Sequence, residues 1–275
     1  MNDTSFEQQF EQMQIQNIMD QIKYKIMIMS NKGGVGKSTI AAIIADELAC
    51  QNKKIGLLDI DIHGPSQAKI FNFNNQKLKA DKNNNIIPFE PKKNLKVVSV
   101  AGLLEDENQP LIWRGPLKIN LIKQFLTNVA WGNLDYLIID APPGTGDEPL
   151  TITQLISNLN GLIIVTTPQD LALLDSRKAI TFAKKTNTPV LGIIKNMSYV
   201  HCPHCEKKIN LFKINDIENA IKVMNVNILG SLPFESKLLK CMDKGNSFVK
   251  IHKKTNLYQI LKNIIHKIQS CVEKK

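Results

Sequence analysis

One short segment constrains this chain more than any other. Ser30-Asn31-Lys32-Gly33-Gly34-Val35-Gly36-Lys37-Ser38-Thr39 follows an apolar run, Tyr24–Met29, and opens a stretch, Lys37–Cys50, with Ile40, Ile43, Ile44 and Leu48 at helical spacing. Glycines let successive backbone N–H groups turn inward around an anion. The start of the helix adds the positive end of its dipole. A lysine followed by a hydroxyl residue then supplies an ammonium for the outer phosphates and an oxygen for Mg²⁺. Strand, glycine-rich loop and helix in that order are the context a P-loop needs. The segment therefore predicts ATP with Mg²⁺, cradled by Gly33, Gly34, Val35, Gly36, Lys37, Ser38 and Thr39. Lys37 would reach the β- and γ-phosphates, and Ser38 would bind the metal. The simple pattern G-x-x-x-x-G-K-[ST] has Gly where this chain has Asn31. Asn tolerates left-handed backbone better than other non-glycine residues, so the loop is expected to survive.

Further short apolar runs follow: Ile55–Leu58, Leu95–Val100, Tyr136–Ile139, Leu162–Thr166, Val190–Ile194 and Ile228–Leu232. Helical patterns such as Leu117–Val129 and Leu171–Lys184 fall between several of them. Such alternation predicts an α/β fold, a doubly wound, mostly parallel sheet of seven or eight strands flanked by helices. The Asn- and Lys-rich segment 71–94 reads as a surface excursion or hairpin. Residues 1–22 carry four acidic side chains, no Lys or Arg and many Gln. They match neither a secretory signal nor a mitochondrial presequence, and read as a polar tail or loose helix outside the core. Residues 23–275 then form a single ATPase domain with a Cys-containing insertion at about 197–225. No apolar run approaches the roughly 20 residues of a membrane span, and a cytoplasmic location is the default expectation. The closing stretch Leu257–Ile268 is amphipathic, and docks on the sheet more readily than on a membrane surface.

The formal charge is +10, yet only two of the 35 basic residues are Arg, Arg114 and Arg177. A surface that reads nucleic acid favours Arg for its bidentate contacts. The charge is therefore read as compositional drift, and no nucleic-acid partner is expected. Two strand ends bear carboxylates. Asp59 and Asp61 follow Leu57-Leu58, and Asp140 follows Leu137-Ile138-Ile139. In parallel sheets the carboxyl ends of the strands face the ligand crevice. Asp61 is expected to position or activate the attacking water, and Asp59 and Asp140 to support Mg²⁺.

An ordered series of segments resembles the Mrp/ApbC-type iron–sulfur cluster carriers, a branch of the MinD/ParA-like ATPases with a deviant Walker A motif. The series runs from Leu58-Asp59-Ile60-Asp61-Ile62-His63-Gly64-Pro65-Ser66 through Trp113-Arg114-Gly115-Pro116 and Asp140-Ala141-Pro142-Pro143-Gly144-Thr145-Gly146-Asp147-Glu148. It continues with Thr166-Thr167-Pro168-Gln169-Asp170, Lys195-Asn196-Met197-Ser198-Tyr199 and Cys202-Pro203-His204-Cys205. The resemblance spans roughly residues 24–250. It implies a homodimer in which Lys32 reaches the partner's nucleotide, an Asn196 contact with the adenine base, slow ATP hydrolysis, and a [4Fe–4S] cluster passed from a donor to apo client proteins. Arg114 and Arg177 stand between interface contacts and structural ion pairs. One departure lies after the second cysteine, where the family tends to carry Gly and this chain has Glu206.

Cys202 and Cys205 supply two thiolates, and a [4Fe–4S] cluster usually takes four. A two-fold dimer meets that count, with the cluster on the axis. Zinc, a redox dithiol and an unligated pair remain alternatives on the motif alone. Cys50 and Cys241 read as helix packing residues. The competing function is a MinD/ParA-like positioning or partition ATPase acting on a membrane or DNA.

Overall fold

The structure, a computed structural model, describes residues 3–74, 76–103, 115–168, 170–211 and 225–273. In chain order the strands are β1 (Ile22–Met29), β2 (Ile55–Asp59), the small hairpin β3 (Lys79–Ala80) and β4 (Ile86–Ile87), β5 (Phe89–Lys92), β6 (Leu95–Ser99), β7 (Leu134–Asp140), β8 (Gly161–Thr166), β9 (Val190–Lys195), β10 (Tyr199–His201), β11 (Lys208–Asn210) and β12 (Ile228–Ser231). The helices are α1 (Asp3–Met19), α2 (Lys37–Cys50), α3 (Gln67–Ile70), α4 (Gly115–Thr127), α5 (Asp147–Leu155), α6 (Asp170–Lys185), α7 (Ser236–Asp243), α8 (Phe248–Ile251) and α9 (Asn256–Glu273). Eight strands form one sheet in the order β12-β9-β8-β1-β7-β2-β6-β5. All pair in parallel except the edge pair β5–β6. The seven expected runs supply the parallel strands. The eighth comes from the pattern-poor segment 71–94, whose end folds back as β5. Its Lys92 pairs with Asp46 on α2, and Phe89 stacks on Phe73 with ring centroids 4.2 Å apart.

Register sets the site. Asp59 on β2 is the Cα partner of Asp140 on β7 and of Ser99 on β6, and Ile28 of β1 is the partner of Asp140 on its other side. Three polar strand ends therefore lie in one row across the carboxyl edge of the sheet, beside the strand that leads into the P-loop. The central strands are buried on both faces, and two apolar clusters cover them. One gathers α2 and α9 with Ile26, Ile28, Leu57 and Ile138. The other gathers α1, α4 and α5 with Met27, Met29, Leu58 and Ile139. The amphipathic face of α9 docks as expected, burying Leu257, Leu261, Ile264, Ile265, Ile268 and Val272. Among the described residues no helix is long and apolar enough to cross a membrane.

The N-terminal segment departs from its expected place outside the core. α1 buries Ile15 and Met19 against the α4–α5 side of the sheet. Its polar residues are anchors: Gln12 Nε2 donates to the Leu155 carbonyl at 3.1 Å, Ser157 donates to Gln16 Oε1 at 2.8 Å, and Lys123 pairs with Glu11 at 2.6 Å. Few apolar residues suffice because the partner surface is already formed. Ile15→Ala should lower the unfolding free energy by about 3 kcal/mol in urea denaturation. Phe10→Ala, at a side chain 56% exposed, should change it by less than about 0.5 kcal/mol.

Candidate functional site

The loop between β1 and α2 turns through two left-handed glycines, Gly34 at φ 77° and Gly36 at φ 82°. Asn31 is not left-handed, so its side chain is accommodated without the tolerance that the sequence seemed to require. Gly36 is fixed by a second constraint. A Cβ there would lie 2.3 Å from Nδ2 of Asn196, the atom that donates to the Val35 carbonyl at 2.9 Å. Asn196 is buried at the end of β9, held there by its own N–H on the Thr166 carbonyl. Met197, next in the chain, takes a left-handed φ of 52°, uncommon for a side chain of its size, and lines the cavity in front of the P-loop. That cavity has a volume of about 620 Å³, and Lys32, Lys37, Ser38, Asp61 and His63 also border it.

Behind the cavity lies a buried charge cluster. Lys37 Nζ is 2.6 Å from Asp140 Oδ1 and 3.5 Å from Asp61 Oδ2. Burial would lower the Lys37 pKa, but the attraction of Asp140, Asp61 and Asp59 more than offsets it and holds the ammonium above its ordinary range. Asp59 is fully buried. Desolvation, with the like charge of Asp140 beside it, pushes its carboxyl up to about 7 against three hydrogen bonds that favour the anion. Those come from Ser99 Oγ at 2.9 Å and from the N–H groups of Asp61 at 3.1 Å and Gln67 at 3.2 Å.

Gln67 escaped the sequence reading. Its side chain is buried at the start of α3, and Nε2 donates both to Asp140 Oδ2 at 2.8 Å and to the Ser38 carbonyl at 2.9 Å. It ties the helix that carries Ser38 to the strand-end carboxylate. The only signal was its place just beyond the Gly64-Pro65-Ser66 turn. Its Oε1 is buried without a partner, and a buried orphan acceptor points to a group absent from the polypeptide. The donors here are all oxygens, the set Mg²⁺ prefers. Among the described residues no three His, Cys, Asp or Glu side chains make a ready metal cage. Magnesium in a nucleotide site does not need one, since phosphates and waters complete its shell.

The cysteines lie elsewhere on the same edge. Strands β10 and β11 form an antiparallel hairpin, and Cys202–Lys207 is its turn, closed by the Cys202 N–H on the Lys207 carbonyl and the Glu206 N–H on the Cys202 carbonyl, both 2.9 Å. Cys205 is exposed and Cys202 partly so, and neither is in a disulfide. The N–H groups of His204 and Cys205 lower the Cys202 pKa by hydrogen bonding the thiolate. Cys50 and Cys241 sit in α2 and α7. Arg177 is exposed on α6. Arg114 and Gln169 lie outside the described residues.

Residues 21–269 match the family described as the NUBPL iron-transfer P-loop NTPases. The chain belongs to that family. A curated relative from Methanocaldococcus jannaschii, named an iron–sulfur cluster carrier protein, is 44% identical over 257 residues, covering 93% of this chain and 88% of its own. A cytosolic Fe–S cluster assembly factor NUBP1 homolog from Brugia malayi is 45% identical over 233 residues, 82% and 75% of the two chains. Among solved structures, a nucleotide-binding protein from Archaeoglobus fulgidus in complex with ADP is 39% identical with a TM-score of 0.75, covering 86% of this chain and 92% of that one. The cell-division ATPase MinD of Pyrococcus furiosus, 20% identical with a TM-score of 0.64 over 90% of this chain and 99% of its own, shares the fold.

The residue after the second cysteine carries a conformational cost. Glu206 adopts φ 56°, the left-handed conformation that glycine enters at no steric cost. Glu206→Gly should relieve roughly 1 kcal/mol of backbone strain. Hydrogen exchange at the Cys202 and Glu206 amides should then slow about fivefold. Gly36→Ala is expected to abolish ADP binding in calorimetry while the protein stays folded, because both the left-handed turn and the Asn196 clasp exclude a methyl group.

Proposed function

We propose that this chain is an ATP-hydrolysing iron–sulfur cluster carrier that works as a homodimer, accepting a [4Fe–4S] cluster from a donor and passing it to apo-proteins. The observation that carries this reading is the course of the chain from 195 to 205. Asn196 grips the P-loop carbonyl of Val35, and six residues later Cys202 opens the exposed cysteine turn. Ser198 and Tyr199 between them are held by backbone hydrogen bonds to the segment after β12, the Ser198 N–H to the Leu232 carbonyl and the Phe234 N–H to the Tyr199 carbonyl, each 2.8 Å. A shift of the P-loop on nucleotide binding would thus reach the cysteines through a short, braced segment. Two states of that segment, biased by ATP or ADP, are all that coupling requires.

In this reading the backbone N–H groups of 33–39 and Lys37 hold the phosphates. Ser38, Asp140 and Asp59 hold Mg²⁺, which when bound neutralises phosphate charge and helps orient the phosphoryl group. Asp61 orients the attacking water and accepts its proton, and Lys32 reaches the partner's nucleotide. Hydrolysis is slow and acts as a timer for cluster retention. Cys202 and Cys205 from each protomer together bind the cargo. The docked α9 and the thiolate turn favour this reading over membrane or DNA positioning.

Anaerobic reconstitution tests it. The protein should become a brown dimer with about four irons and four sulfides per pair, and Cys202→Ala with Cys205→Ala should stay colourless. Asp61→Asn should keep the cluster and lose at least about tenfold in ATP turnover. A colourless wild-type protein, or one retaining only zinc, would overturn the carrier reading.

A further inference from the structure

His63 borders the cavity in front of the P-loop, two residues beyond Asp61, and the proposed function gives it no role. The turn between them is closed by the Gly64 N–H, which donates to the carbonyl and Oδ1 of Asp61 at 3.3 Å each. Lys118, in the first turn of α4, puts Nζ 2.7 Å from His63 Nε2 and 3.0 Å from Oε1 of Glu148, in the first turn of α5. The Lys118 and Glu148 side chains are only 16% and 13% exposed. Burial would raise the Glu148 pKa, but its own backbone N–H and the Lys118 ammonium hold it low. The loop after β2 and the helices α4 and α5 thus meet at one ammonium group.

The chemistry of that meeting fixes the imidazole. An ammonium has donors and no acceptor. His63 must therefore accept at Nε2, and a neutral imidazole that accepts at one nitrogen carries its proton on the other. An ammonium facing Nε2 favours the neutral Nδ1–H tautomer, which would put a hydrogen-bond donor at the rim of the cavity in front of the P-loop. Glu148 keeps Lys118 in place and compensates its charge.

We propose that His63 senses the γ-phosphate: its Nδ1–H donates to an oxygen of the terminal phosphate of ATP, which ADP lacks. Lys118 and Glu148 are positioning residues that set the tautomer and aim the ring. This rests on the ATP reading above and adds the group by which the protein tells ATP from ADP. Because the same turn carries Asp61, recognition of the γ-phosphate and placement of the attacking water are joined in one short loop.

Calorimetric affinities of the full-length chain for Mg²⁺ with ADP, and for Mg²⁺ with the imido-bridged analogue of ATP, test the assignment. A hydrogen bond to a charged oxygen corresponds to about tenfold or more in affinity. His63→Ala and Lys118→Met should each reduce the preference for the analogue over ADP about tenfold, with ADP affinity kept within about twofold as the control for folding. Lys118→Arg, which also offers only donors, should restore most of the preference. The double variant should be no worse than either single one. An unchanged preference in both single variants, or an equal loss of both nucleotides, would overturn the assignment. A wild-type protein that binds neither nucleotide would remove the ATP reading itself, a failure visible before any substitution is made.

Discussion

The buried ion pair between Lys37 and Asp140 is the interaction on which the rest of the site depends. Both side chains are removed from water, and their separation is 2.6 Å. A buried charge left alone is costly, about 3–5 kcal/mol when one partner is deleted, so each residue requires the other. Lys37 comes from the first turn of α2 and Asp140 from the end of β7, and the pair locks the P-loop helix to the sheet. Asp59 sits beside them in strict register, and burial, with the like charge of Asp140 second, raises its pKa. A cluster with one lysine and three acids is poised for further positive charge, which Mg²⁺ supplies in P-loop sites of this kind. A nucleotide phosphate at the P-loop would compete with Asp140 for the Lys37 ammonium, so binding would reorganise the contact between them.

That reorganisation has a short route outward. Val35 and Gly36 touch Asn196, Asn196 directly follows β9, and the chain continues from there into the cysteine hairpin. Left-handed backbone occurs at Met197, before β10, and at Glu206, inside the cysteine turn. Strained residues of this sort persist where the surroundings over-determine them, and they cluster in segments that switch. His63 gives a second route, through Lys118 to α4 and α5. Two of the segments that border the cavity, the one at His63 and the one at Met197, therefore lead directly into elements outside it, which is the geometry the proposed coupling would use.

Much of this was legible in the residues themselves. The P-loop, the strand-end acids and the seven parallel strands follow from local pattern, because buried strands and phosphate loops have strict local requirements. The docking of α9 was legible for the same reason, in six apolar side chains at helical spacing. What escaped depends on surfaces made elsewhere. α1 looks too polar to dock, yet Ile15 and Met19 find a preformed apolar wall, Gln12 finds the Leu155 carbonyl and Gln16 the Ser157 hydroxyl. β5 has no alternating pattern and pairs only because β6 offers an edge. Gln67 is an ordinary residue in sequence and becomes the brace between α2 and Asp140 only through a contact 73 positions away. Asn31 and Glu206 show the two sides of one lesson. Asn in place of the motif's glycine at 31 has no conformational consequence, whereas Glu206 is a side chain held in left-handed backbone.

The account stands most directly on whether nucleotide controls the cargo. The deciding measurement is the rate at which reconstituted protein yields its cluster to a chelating apo-acceptor, followed by visible absorbance, with Mg²⁺ and ATP, with Mg²⁺ and ADP, and with neither. The coupling through Asn196 predicts that ATP changes the rate severalfold relative to ADP in the wild-type chain and that Asn196→Ala removes the difference while still binding the cluster. Equal rates under all three conditions in the wild-type chain would contradict it, and would make the nucleotide and cysteine sites independent neighbours on one sheet.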